Sequence, residues 1–69
     1  MELTDYKVKR IISPHGELRL GEPAGIIDEG SFYRIAGTHI IDKFKIVKIE
    51  KDGEKIEIKM KDKDVVLIV

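Results

Sequence analysis

The stretch IVKIEKDGEKIEIKM, Ile46 to Met60, alternates apolar and charged residues on either side of Asp52-Gly53. A period of two marks a half-buried strand, and an Asp-Gly pair suits a two-residue type I′ loop, whose central positions both need positive φ. A loop at Asp52-Gly53 sets Glu50 opposite Lys55, Ile49 opposite Ile56, Lys48 opposite Glu57 and Val47 opposite Ile58. One face then carries Val47, Ile49, Ile56, Ile58 and Met60. The other carries opposite charges in register, each pair contributing roughly 0.2–1 kcal/mol. A slip of one residue would turn the apolar set to solvent, so the pattern specifies pairing. Phe44 and Ile46 have the opposite parity from Val47 and Ile49, which predicts either a strand start buried on both sides or a bulge near Ile46.

The same grammar recurs upstream in shorter pieces. YKVKRII, Tyr6 to Ile12, reads as a strand that stops at Ser13-Pro14-His15-Gly16, where Pro14 cannot donate to a ladder and Gly16 permits positive φ. AGII (Ala24 to Ile27) and FYRIA (Phe32 to Ala36) flank Asp28-Glu29-Gly30-Ser31, a second hairpin signal. Ile40-Ile41 and the closing VVLIV are further apolar runs, the latter preceded by a charged turn at Lys61 to Asp64, and Leu18 to Leu20 is at most a short irregular or strand-like piece. No segment repeats apolar residues at i, i+3, i+4 and i+7 over a helical length. Residues 1–69 are therefore expected to form a single all-β domain, a small antiparallel β-sandwich or partly open barrel of about six strands. Phe44 and one of Phe32 and Tyr33 are expected in its core.

A chain of 69 residues offers little interior for a catalytic cavity beyond its own core. It has no cysteine and two histidines, which excludes a disulfide framework and a cysteine zinc site. Lys plus Arg and Asp plus Glu number 13 each, so no broad cationic footprint for nucleic acid exists. No run of 18 apolar residues and no export leader follow Met1, so no membrane insertion of this segment is expected. The charged fraction of 38%, mostly Lys, Asp and Glu beside many Ile and Val, is the mixture seen in thermophile proteins.

Residues that could carry chemistry have simpler roles. His15 and His39 lack HxH or HxxE spacing and lie in turns, so they read as solvated loop histidines. Ser13 and Ser31 have no strand-to-helix elbow around them. Asp28-Glu29 and Asp62 with Asp64 sit in charged turns beside lysines, and the glycines are isolated, so no phosphate loop exists. No enzyme activity, cofactor, metal site or small-molecule substrate is expected. A nucleic-acid binder of OB-like or SH3-like form, stacking bases on Tyr6, Phe32, Tyr33 or Phe44, is the alternative reading, weakened by lysines that alternate with glutamates.

From Leu3 to Val69 the order of pieces resembles the periplasmic homology-region domain of the pilus assembly protein PilP and the type II secretion protein GspC. The resemblance is carried by LTDYKVKRII, AGIID, GSFYRIAG and HIIDKFKIVKIEKDGEKIEIKM. The chain departs from that family at Gly37-Thr38-His39 and at Asp42-Lys43. The resemblance implies two small antiparallel sheets packed together and a non-enzymatic adaptor. Its partner would be the N-terminal domain of a secretin. The location would be periplasmic for an excised domain given a start Met, and otherwise cytoplasmic. YKVKRII ends in adjacent isoleucines that point to opposite faces. As a strand near an edge, it nominates Val8, Arg10, Ile12 and Tyr33 as protein contacts; the other reading packs Ile11 and Ile12 both inside with the help of a bulge.

Overall fold

A computed structural model describes residues 2–69. The strands are β1 (Lys7–Ser13), β2 (Gly16–Asp28), β3 (Phe32–Ile35), β4 (His39–Asp42), β5 (Ile46–Asp52), β6 (Lys55–Met60) and β7 (Asp64–Ile68). Single 3-10 turns occupy Leu3–Asp5 and Lys43–Lys45. All seven strands join one antiparallel sheet in the order β4-β3-β2-β1-β7-β6-β5. The all-β expectation holds. The two packed sheets implied by the resemblance are instead one, because the 13-residue β2 pairs with β1 as far as Gly25 and with β3 from Ile26 onward. Its early part takes in Leu18 to Leu20, with Leu18 and Arg19 paired to β1 and Leu20 opening an irregularity.

The sheet is open, with β4 and β5 as its edges. Those edges are consecutive in sequence and separated only by the turn Lys43–Lys45, so the sheet must curl until they approach one another. The turn is tied to both sides: the Lys43 amide donates to Ser31 O (3.0 Å) and the Lys61 amide to Lys45 O (2.8 Å). Inside the curl lie Leu3, Val8, Ile11, Ile26, Ile35 and Ile41, joined by Ile56, Ile58, Met60, Val65 and Leu67. No polar or charged residue is buried among the described residues. Burial of this apolar set, at roughly 25 cal/mol per Å², is the main force that holds the fold.

The β5–β6 hairpin forms with a different register from the one the Asp-Gly pair predicts. Asp52 pairs with Lys55, so the loop residues are Gly53 and Glu54, and Ile49 faces Ile58 rather than Ile56. Only Gly53 has positive φ here (+62°), the sign pattern of a type II′ turn, in which glycine takes the first central position. Asp52 is thereby spared the left-handed conformation that a type I′ loop would force on it. The cross-strand charge pairs are also replaced. Glu50 faces Glu57 and Lys48 faces Lys59, and each glutamate is neutralised along its own strand, Glu50 by Lys48 and Glu57 by Lys55 (3.1 Å).

The parity conflict resolves as the expected bulge. The register shifts between Ile46 and Lys48, so that Ile46 pairs with Met60 and faces inward, while Val47 turns out and is 66% exposed. Phe44 does not enter the core. It sits in the 3-10 turn, off the strand parity, and is 67% exposed. Tyr33 is the aromatic residue of the Phe32–Tyr33 pair that packs against the core.

Candidate functional site

The residues nominated as protein contacts do not form one surface. β1 lies between β2 and β7, and Arg10, Ile11 and Ile12 pair on both sides, so this strand offers no free main-chain edge there. Val8 is fully buried and cannot meet a partner. Ile11 faces the core while Ile12 is half-buried opposite Val66 and Glu17, so the two isoleucines do divide between faces. Arg10 lies half-buried with Nη1 at 3.5 Å from Glu17. Tyr33 belongs to a separate cluster on β3, where the Lys43 ammonium stands 4.8 Å from its ring centroid.

That cluster is an electrostatic clasp. Lys43 Nζ donates to Asp28 Oδ1 (2.8 Å), and the Gly30 amide donates to the same oxygen (2.9 Å). The Lys43 hydrogen bond holds the Asp28 carboxyl below its ordinary range, with help from Gly30, and Asp28 in turn raises Lys43. Beside it, Arg34 donates to Glu29 (2.9 Å) and to Gly37 O (3.2 Å), bracing a turn in which Ala36 adopts φ +54°. Ala36 is the single non-glycine residue with positive φ among the described residues, a strained choice for alanine.

Three surface features remain. The first is the open seam. Ile40 on β4, Phe44 in the connecting turn and Val47 at the start of β5 are 47%, 67% and 66% exposed, and all three fall on or between the two unpaired edges. The second is a groove of about 540 Å³ beside an irregularity in β2. Between the pairs Val8–Ala24 and Arg10–Arg19, Lys9 alone opposes the four residues Leu20 to Pro23, so the ladder is interrupted there. The groove is lined by Lys9, Arg10, Arg19 and Glu54 over Leu20, Pro23 and Ile68. Arg10 and Arg19 share one carboxylate, Glu17, each at 3.5 Å.

The third feature is the mouth of the curled sheet, where the β1–β2, β3–β4 and β6–β7 turns meet. Two adjoining hollows of about 180 and 190 Å³ share Ile11, Ser13, His15 and His39. The histidines, far apart in the chain, are thus brought to one opening. The sequence alone could not show this, because it depends on the end of β1 and the start of β4 lying at the same end of the curled sheet. The His39 ring meets Thr38 Oγ1 through Nδ1 (3.2 Å), and Ser13 Oγ accepts from the His15 amide (3.3 Å), a turn interaction rather than a nucleophile paired with an imidazole. Among the described residues no group of three or more His, Cys, Asp or Glu side chains could hold a metal ion. No described helix is long and apolar enough to cross a membrane. Comparison with protein-family models, curated proteins and solved structures finds no match for this chain.

Proposed function

We propose that the chain is a non-enzymatic protein-binding domain that docks an extended segment of its partner on the β4 edge. The observation that carries this reading is the contrast between an unpaired strand and its apolar flanks. β4 has free main-chain groups on its outer side, and Ile40 and Phe44 stand exposed beside them. Strand addition takes its affinity from backbone pairing and its selectivity from a few side chains, which is what this edge offers. β5 is less suited, since the bulge at Val47 and the lysines beyond it are devices that discourage pairing. The adaptor role implied by resemblance to the PilP and GspC domain fits this reading, with a secretin N-terminal domain as the partner to test and the periplasm as its place.

The test is titration of the labelled domain with that secretin domain from the source organism, followed by NMR. Shift changes are expected over His39 to Phe44, with binding weakened about tenfold or more by Ile40→Lys. Changes confined to β1, or no binding, would overturn the edge or the partner respectively.

The groove beside Lys9, Arg10 and Arg19 supports a second reading, an oligonucleotide site, because two arginines with one carboxylate between them leave cationic charge for a phosphate. On this reading, fluorescence anisotropy with a single-stranded oligonucleotide should give binding that falls steeply with salt and is lost in Arg19→Ala. Salt-independent or absent binding removes it.

A further inference from the structure

The mouth of the curled sheet combines an apolar lining with a polar rim that carries one lysine, and the two call for one kind of ligand. The exposed Ile40 and the edges of Ile11, Ile41 and Val65 line the 180 Å³ hollow above the fully buried Ile35; His15, His39 and Lys63 stand around it, and none of its lining residues is acidic. Lys63 supplies an independent observation. Three lysines are half-buried, and two of them have carboxylate partners: Lys43 meets Asp28, and Lys45 meets Asp42 and Asp62. Lys63 meets none among the described residues, so its ammonium at the mouth is not committed to a carboxylate of the chain. His39 has Nδ1 engaged by Thr38, which leaves Nε2 for a ligand.

We propose that this mouth captures a branched aliphatic carboxylate, with the hydrocarbon in the isoleucine-lined hollow and the carboxylate on Lys63 and His39. Size supports the match. An apolar cavity of about 150 Å³ accommodates a benzene-sized group, so a hollow of about 180 Å³ has room for one branched side chain. Charge supports it too, since a carboxylate supplies Lys63 with the acceptor the chain does not provide, in a charge-assisted hydrogen bond. A neutral hydrocarbon would leave the rim unused, and a larger anion such as a nucleotide would not fit the hollow. The same chemistry is presented by a free short acid and by the C-terminal residue of a polypeptide ending in leucine or valine. This inference does not depend on docking at the β4 edge, because the acid used to test it is too short to pair with a strand.

The experiment is titration of the whole chain with isovalerate and with isovaleramide, followed through methyl NMR signals. Saturable shifts at Ile35, Ile41 and Val65 are expected with the acid. Isovaleramide should bind at least about fivefold more weakly. Lys63→Ala and Lys63→Gln should each weaken the acid about five- to tenfold while the amide is unaffected, and Lys59→Ala should change neither. A leucine-ending tripeptide with a free C-terminus that binds more tightly than isovalerate assigns the ligand to a chain end. Tighter binding of isovalerate assigns it to the free acid. Equal binding of acid and amide, shifts located elsewhere, or indifference to both Lys63 variants would overturn the proposal.

Discussion

The half-sheet β5–β7 and the half-sheet β2–β4 have similar topology and opposite character. β6 and β7 supply Ile56, Ile58, Met60, Val65 and Leu67 to the interior, whereas β2 to β4 supply Ile26, Ile35 and Ile41. Their edges differ in the same direction. β5 ends the first half with a bulge and a Lys48–Glu50 ion pair, and β4 ends the second with four residues, an exposed Ile40 and a strained turn before it. Buried apolar side chains are concentrated on β6 and β7, whereas exposed ones stand at both edges, Ile40 on β4 and Val47 in the bulge of β5. Binding elements are drawn from the less stable part of a fold because they must be able to adapt.

The strongest attempt to break this division is a pair of truncations. Leu67→Ala empties a fully buried site and should cost about 2–5 kcal/mol, measured by urea unfolding, while Ile40→Ala at the open edge should stay within about 0.5 kcal/mol. Comparable losses at both positions would mean that the two halves share the load evenly.

A smaller effect separates the halves by pH. Asp28 lies below its ordinary range when folded, so its contribution is present above about pH 4 and fades as pH falls through the lowered value. Lys43 is raised, so its share is present below about pH 10 and is lost as pH rises through the raised value. Glu50 and Lys48 shift in the same directions for the same cause, a mutual side-chain hydrogen bond. The two pairs differ in what folding adds. Lys48 and Glu50 are two residues apart and already near one another in an unfolded chain, whereas Asp28 and Lys43 meet only through tertiary structure. Asp28→Asn should therefore flatten the acid limb of a Tm against pH curve more than Glu50→Gln does, and the reverse order would show that the edge pair is the folded-state device.

The sequence reading succeeds where side-chain parity decides. Most strands and the inward face of β6 follow from alternation, and the bulge is one of the two outcomes that the conflict between Ile46 and Val47 allows. It fails on the β5–β6 register because a loop at Asp52-Gly53 and one at Gly53-Glu54 differ by two residues in pairing. Both keep Ile49, Ile56 and Ile58 on one face, so hydrophobic pattern cannot choose between them. Turn chemistry decides instead, through the preference for placing positive φ on glycine alone. Position within a sheet is the other thing alternation does not encode. YKVKRII has the composition of an edge yet lies in the middle, which removes Val8 and Ile12 from any edge-docking role. The mouth was invisible for a related reason, since His15, His39 and Lys63 come together only through the closure of three turns.

The strand order also bears on how the chain finds its fold. Every neighbouring pair in the sheet is joined by a hairpin except β1 with β7, whose partners Ile11 and Leu67 stand near opposite ends of the sequence. Each half is therefore a meander whose contacts are local and quick to form, and the whole depends on one long-range closure. Such a closure carries the loop entropy of almost the entire chain before β1 and β7 return any pairing energy. The step that commits this molecule to its native state is thus the meeting of its two ends, and the turn at Lys43–Lys45 acts as the hinge about which they swing together.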